Sequence, residues 1–502
     1  MATSIPPAPP VTSVLALGLD AFLTLRAAIA AGIADARAAF ELTLGAPSPD
    51  WGFFVLAGVE PLVDALERLR ARVDELDWLE SVGAIDATTR RRLTELRFAC
   101  DVDAVPEGTV VFPGEAVVTV EGPYWQAQLV GGMVQAALAD STRVATRFAR
   151  LSLASGGAQL VERGSATAHR LGGAPLLARA AYVGGAHATT NALAGRRYGL
   201  PVTAMQPVRF DMAAGDDDRA LRAWLAAAPH GCAVRLDPSR PQAWLARLAV
   251  AVKDRVRASG GGWDESHLCV ELPGGDRLGL AREVTRVFAG AGLGTPSLVV
   301  SGGVDERLLL ELRAEDASAA CSAGERAHAR VTAYVAAAHG EPLAADLARY
   351  ELVSIEDGGS WSPRLRVGED VASSSDPGRK LLVRYVDAEG RPVADVAHAT
   401  SERFLRAQGG RFVHRATGLS ARLSAASGAP LRANAMRAGK RAAPPEPPSA
   451  LRERALRAVH ALDEGYRRLV SPARYPVGLT QALASLKEQL LTEATHPSPS
   501  ET

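Results

Sequence analysis

Residues 299–312 read VVSGGVDERLLLEL. The apolar run stops at Ser301-Gly302-Gly303, and a helix-like stretch starts at Val304-Asp305-Glu306. Two glycines between a strand and a helix let backbone N–H groups converge on an anion. The same pair serves equally well as a tight turn. Which use applies depends on what surrounds the stretch.

From about residue 156 to 345, short apolar runs alternate with helical stretches. The runs are AQLVE (158–162), LPVTAM (200–205), CAVRLD (232–237), LCVEL (268–272) and SLVVSGG (297–303). Helical runs follow them, such as PQAWLARLAVAVKDRVRAS (241–259) and DRLGLAREVTRVFAGAG (276–292). Repeated strand-then-helix order predicts a parallel sheet with crossover helices. The number of units favours a (β/α) barrel over an open sheet. In a barrel, chemistry sits on the loops after the strands. That singles out positions near Glu162, Met205, Asp237, Pro273, Ser301 and Ser322.

Outside this region the pattern changes. Residues 1–12 are Pro-rich and read as a disordered tail. Residues 59–75 have helical apolar spacing. Residues 107–122, EGTVVFPGEAVVTVEG, hold two β-rich runs around Pro-Gly and read as a hairpin. The predicted order is an N-terminal α+β domain over 13–122, the barrel over 123–345 and a β-rich segment over 346–421. A basic mobile linker over 422–450 and C-terminal helices with a tail over 451–502 follow.

The totals narrow the function classes. The 502 residues are 47% hydrophobic and 22% charged, as in an ordinary soluble protein. Lys+Arg and Asp+Glu both count 56, which argues against a nucleic-acid partner. The cysteines, Cys100, Cys232, Cys269 and Cys321, are far apart, so neither a metal site nor a disulfide framework is indicated. The N-terminus lacks a basic leader region, and no apolar stretch is long enough to span a bilayer. The expectation is a cytoplasmic protein with no membrane partner.

Several stretches in order resemble nicotinate phosphoribosyltransferases, of the type II phosphoribosyltransferase fold. They are PEGTVVFPGEAVVTVEGPYWQAQL (106–129), ATRFAR (145–150), ARAAYVGGAHATTNALAGRRYGLPV (178–202), VVSGGVDE (299–306), PGRK (377–380) and SPARYPVGL (471–479). The resemblance implies an irregular (β/α) barrel beside a mixed β domain built from N- and C-terminal segments, with C-terminal helices. It implies homodimers. It also implies joining nicotinate to phosphoribosyl pyrophosphate to give nicotinate mononucleotide and pyrophosphate, with Mg²⁺ and ATP, on the route to NAD.

That chemistry needs carboxylates near the ribose, cations on the pyrophosphate, N–H groups for the 5′-phosphate and a ring to stack on the pyridine. By resemblance, Glu162, Asp237 and Asp276 are the catalytic carboxylates. Ser301, Gly302, Gly303 and Gly324 are the phosphate-binding residues, and Phe22, in LDAFLTL beside Asp20, is the stacking ring. A core position for Phe22 is equally open. The chain departs from the family at several site positions. Ala166 and Thr167 stand where the family has two arginines after Glu-Phe-Gly. Glu271 and Pro273 replace an Arg and an Asp, and Arg240 replaces a second Asp. Glu325 brings negative charge beside Gly324. Val208 and Arg209 stand at the ATP-coupling His-Ser, while His169 and His187 read as structural or surface histidines. Arg163, Arg170 and Arg209 lie close enough in sequence to be relocated cations. The mark of relocation is Arg163 or Arg209 pointing into the barrel mouth beside Gly302. The expected function is that of the family. The alternatives are an inactive relative serving as a binding, regulatory or structural subunit, or a transferase for another base.

Overall fold

The computed structural model describes residues 13–45, 48–164, 172–228, 231–323, 331–336, 347–371, 373–402, 410–424 and 426–495. The tail over 1–12 and the site positions Ala166, Thr167, His169, Arg170, Gly324 and Glu325 lie outside them. The chain divides into two units. The first gathers Met1–Arg143, Leu343–Glu446 and Arg457–Thr502, and the second Val144–Pro342 and Pro447–Leu456.

The first unit is a mixed β structure drawn from both ends of the chain. Its seven-stranded sheet runs in the order Ser360–Pro363, Ala348–Asp357, Arg37–Leu44, Ala116–Pro123, Asp101–Ala104, Ala433–Arg437 and Lys440–Arg441. A six-stranded sheet contains Lys380–Val386, Pro392–Ala399, Arg411–His414 and Val477–Thr480. Leu42, Val102, Val118 and Val120 are fully buried. Val102 lies between Asp101 and Asp103 and Val120 between Thr119 and Glu121, the alternation expected of strands with one covered face.

Two expectations fail here. The 107–122 stretch is not a hairpin. Val110–Val111 pairs with Phe54–Val55, whereas Ala116–Pro123 pairs with Arg37–Leu44 and Asp101–Ala104. The Pro-Gly turn does occur, with Gly114 at φ 93°, but it sends the two runs into different sheets. Local turn chemistry specifies a reversal, not a partner.

Nor is 422–450 a mobile linker. Ser427–Pro430 pairs with Lys380–Val386, and Ala433–Arg437 pairs with Asp101–Ala104. Met436 is fully buried. The segment's basic residues meet acids distant in sequence. Arg432 reaches Glu41 at 3.0 Å, and Arg441 reaches Glu60 and Asp64. The C-terminal helices are Pro448–Ala461 and Gln481–Thr495, and the Pro-containing break between them supplies the Val477–Thr480 strand.

The second unit is α/β. Its curled parallel sheet has the order Ala188–Thr189, Gln159–Glu162, Val331–Ala336, Ser297–Val300, Leu268–Leu272 and Cys232–Arg235. Four of the predicted apolar runs are strands. LPVTAM is not: it makes only isolated bridges, Thr189 with Val202 and Met205 with Ala233. Pro201 lacks an N–H and residues 201–204 are exposed, so the run is held by a few bridge bonds, such as Thr203 N to Thr189 O and Gln206 N to Ala233 O, both at 3.0 Å, and not by a full ladder. The crossover helices follow their apolar period. In Pro241–Ala258, for example, Trp244, Leu245, Leu248, Ala249 and Val252 form one buried face.

Strand alternation then sorts the side chains. Val299, Ala333 and Val335 cluster with Val161, Met205 and Cys269 on one face. Two residues further along three of these strands, the same alternation puts Arg163, Glu271 and Ser301 on that face, at the strands' C-terminal ends.

Candidate active site

The Ser297–Val300 strand ends in the loop that carries Ser301, Gly302 and Gly303. Ser301 N donates to Leu272 O at 3.1 Å, tying the loop to the adjacent strand. Gly302 and Gly303 have φ of 76° and 63°, in the left-handed region that favours glycine. A Cβ at Gly302 would lie 2.8 Å from Pro273 O. The helix Glu306–Ala323 starts just beyond, and Asp305 caps it by accepting from Leu308 N at 2.8 Å.

Arginines surround the loop. Arg277 Nη2 donates to Gly302 O at 2.9 Å. Arg147, buried, donates from Nη2 to Val304 O at 3.2 Å. Arg150 Nε donates to Glu306 Oε1 at 2.8 Å. None of the three was singled out from sequence. Arg277 directly follows Asp276, and Arg147 and Arg150 lie in ATRFAR, so the signal was there. It was read as scaffold.

Glu271 stands at the centre. It is fully buried, and its Oε1 accepts from Ser301 Oγ at 2.6 Å. Arg163 Nη1 approaches the same oxygen at 3.4 Å. Oε2 has no hydrogen-bond partner among the described residues. A buried carboxylate with an unmatched oxygen is costly and is characteristic of a site that changes partners. The structure thus brings together Arg163, Glu271, Ser301, Gly302 and Arg277. Arg163 lies on the face that carries Ser301, 3.4 Å from Glu271 Oε1. Arg209 lies exposed on the short helix Val208–Ala214.

The other predicted residues are placed as follows. Glu162 ends its strand buried, and Thr189 Oγ1 donates to its Oε2 at 2.6 Å. Burial pushes its carboxyl above the usual carboxylate range, although Thr189 and the Gly164 amide pull the other way. Asp237 closes its own turn, accepting from Ser239 N at 2.9 Å and Ser239 Oγ at 2.6 Å. The Ser239 hydroxyl is the main reason its carboxyl sits below the usual range. Asp276 is an exposed helix cap that accepts from Gly279 N at 2.7 Å. Phe22 is corrected. It is 1% exposed within the apolar core of the first unit, so its ring has no face open for stacking.

Much of the 178–202 resemblance is explained by scaffold roles. Asn191 caps the helix Ala192–Tyr198, accepting from Ala194 N at 2.9 Å. Gly199 ends that helix at φ 67°. His187 Nδ1 accepts from Leu160 N at 3.1 Å, and burial lowers its pKa.

Residues 21–137 match the nicotinate phosphoribosyltransferase N-terminal domain, and residues 379–487 match the C-terminal domain of the same family. The chain belongs to the nicotinate phosphoribosyltransferase family. Among curated members it is 28% identical to the nicotinate phosphoribosyltransferase of Bos taurus, over 92% of this chain and 93% of that protein. It is 26% identical to that of Bacillus subtilis, over 71% of this chain and 70% of that protein. The crystal structure of human nicotinic acid phosphoribosyltransferase superposes with a TM-score of 0.78 at 23% identity, covering 94% of this chain and 99% of that one. The fold is therefore shared along almost the whole chain.

Proposed function

We propose that this protein is a nicotinate phosphoribosyltransferase that joins nicotinate to phosphoribosyl pyrophosphate, releasing pyrophosphate and forming nicotinate mononucleotide for NAD synthesis. The observation that carries the reading is the Ser301-Gly302-Gly303 loop at the mouth of the parallel sheet, with Arg163 and Arg277 beside it. In this reading the sheet is an irregular (β/α) barrel. The bridges at Thr189–Val202 and Met205–Ala233 complete its ring, and Asp237 and Asp276 lie on its substrate-facing loops.

Breaking the ribosyl–pyrophosphate bond leaves positive charge on the sugar and negative charge on the departing group. Arg163 is the cation best placed to meet the negative charge. Its contact with Glu271 is long, and its side chain is about a third exposed, so it can exchange the carboxylate for a phosphate oxygen. Ser301 then orients the loop. Arg277 holds the Gly302 carbonyl turned away from the anion, leaving the loop amides to face it.

Among the described residues, no three acidic, histidine or cysteine side chains converge as a metal site. We therefore assign Mg²⁺ to the pyrophosphate donor and derive no step through it. Val208 has no atom that can accept a phosphoryl group, so ATP is not coupled through that position. Homodimers in the cytoplasm complete the proposal. No described helix is long and apolar enough to cross a membrane.

The test is turnover of nicotinate, phosphoribosyl pyrophosphate and Mg²⁺ by the purified chain, with and without ATP, followed as nicotinate mononucleotide. Arg163→Ala is expected to lower kcat/KM by about ten- to a hundredfold, the loss of one charge-assisted contact of ~1.5–3 kcal/mol. Absence of product together with absence of calorimetric binding of phosphoribosyl pyrophosphate would overturn the proposal in favour of a non-catalytic role.

A further inference from the structure

One charge at the site has no use in the reaction as proposed so far. Glu271 lies on the face of the parallel sheet that carries Arg163 and Ser301, and its side chain has no exposed surface. Its Oε1 accepts from Ser301 Oγ at 2.6 Å and lies 3.4 Å from Arg163 Nη1. Its Oε2 is buried and has no hydrogen-bond partner among the described residues. Arg235, in register with Glu271 on the neighbouring strand, does not supply one.

The two carboxylates on the nearby loops are already engaged. Asp237 accepts from Ser239 N and Ser239 Oγ and has Arg240 at 3.3 Å. Asp276 caps the helix Arg277–Gly290 through Gly279 N. Glu271 differs from both in being fully buried with an unmatched oxygen. It also adjoins the loop proposed to hold phosphate. Ser301 opens that loop, and Gly302 approaches Pro273, two residues on from Glu271. In a phosphoribosyl group a single carbon separates the phosphate from the sugar ring. A phosphate on the loop amides brings the ring up to the carboxylate.

We propose that Glu271 is a catalytic residue of the transfer: when a substrate phosphate draws Arg163 away, the carboxylate faces the ribose and stabilises the positive charge developing at its C1. This role rests on the transferase reaction proposed above. The C1–O bond breaks, and its electron pair leaves with pyrophosphate. The lone pair of the pyridine nitrogen forms the new bond to C1. No proton moves, so Glu271 acts by its charge and not as a base. Arg163 is about a third exposed and supplies one long contact, so its departure uncovers the carboxylate without disturbing the Ser301 bond. A buried carboxylate that loses its counter-charge is costly in the ground state. The developing cation removes that cost in the transition state. An interaction made there and not in the ground state raises kcat.

Glu271→Gln keeps an acceptor for Ser301 Oγ and removes the charge. It is expected to lower kcat by about a hundredfold, while phosphoribosyl pyrophosphate binds no more weakly. Glu271→Asp, which retains the charge, is expected to recover part of the loss. The probe of the charge itself is the 5-phosphate of an iminoribitol, whose ring nitrogen is cationic, titrated with pyrophosphate present. Its affinity is expected to fall by about tenfold or more in Glu271→Gln, opposite in sign to the donor. An unchanged or higher kcat in Glu271→Gln, beside an active wild type, overturns the assignment and leaves the transferase reaction standing. Equal losses of affinity for the donor and the cationic probe mark a structural role and also overturn it. So does recovery of the variant's kcat at raised Mg²⁺, which would give the carboxylate to the metal. A wild type that neither turns over nor binds phosphoribosyl pyrophosphate removes the reaction and this role together. If Glu271→Gln does not fold, a crystal structure of the wild type with phosphoribosyl pyrophosphate decides. Arg163 on a phosphate oxygen with Glu271 against the ribose supports the role, and Arg163 still on Glu271 overturns it.

Discussion

Two buried glutamates, one in each unit, are treated in opposite ways. Glu41 is 3% exposed and lies between Lys380 and Arg432, so both of its oxygens are matched. Burial opposes its ionisation, but the two cations outweigh burial and hold the carboxyl below its usual range. Glu271 is fully buried, has one arginine at 3.4 Å, and leaves Oε2 without a partner among the described residues. The first arrangement is what a fold builds when a charge must stay where it is. The second leaves a charge incompletely matched, as the proposed reaction would use it. Burial alone does not separate these two glutamates; the completeness of their partners does.

The comparison breaks most easily at Glu41. Glu41→Ala leaves Lys380 and Arg432 buried without a counter-charge and is expected to cost about 3–5 kcal/mol in denaturant unfolding. A loss below about 1 kcal/mol would place the pair among surface-like contacts and remove the contrast with Glu271. Next in size is Gly302→Ala. It forces a Cβ into the left-handed region and against Pro273 O, with an expected loss of about 1–3 kcal/mol in stability. Turnover should fall with it, since the amides of the loop shift. A variant with full activity would show that the Gly-Gly turn only reverses the chain.

Glu271→Gln tests the other side. The amide keeps an acceptor for Ser301 Oγ and removes the negative charge that competes for Arg163. Phosphoribosyl pyrophosphate should bind about fivefold more tightly, near 1 kcal/mol, with little change in the unfolding midpoint. Weaker binding would mean that Glu271 orients Arg163 and does not mask it.

These residues were unequally legible in the sequence. The apolar runs at 159–162, 268–272 and 297–300 read correctly as strands because short apolar runs leave a strong, local signal. LPVTAM carried the same composition but only bridges its neighbours. The Ser-Gly-Gly loop and the substitution at Glu271 were visible as letters. That Glu271 faces Arg163 and Ser301 followed only once the register of three strands was known. The segment at 422–450 was misread because Arg432 finds Glu41 across 391 positions, and composition carries no information on partners at that distance. Phe22 was open between ring platform and core, and packing decided for the core.

The smallest expected effect is also the one that separates the two units by sign. Glu41 has a depressed pKa in the fold, so its stabilisation is present above its ordinary 4.5 and is lost as pH falls through the folded value. Glu162 is the reverse. Its pKa is raised by burial, so the folded chain keeps a proton that the unfolded chain releases near 4.5. Where the folded state binds more protons, stability falls as pH rises. Glu162 therefore subtracts stability between 4.5 and its own folded value and adds no further slope above it. Glu162→Gln cannot titrate, and its carbonyl still accepts from Thr189 Oγ1. The variant should lose that descending segment of the stability–pH curve while retaining the acid-side loss due to Glu41. Double-jump unfolding in the two proteins across this range reads the difference directly. If both curves coincide, Glu162 ionises inside the fold as it does outside, and the buried carboxyl at the sheet's mouth is held charged by its surroundings, ready to face a developing cation.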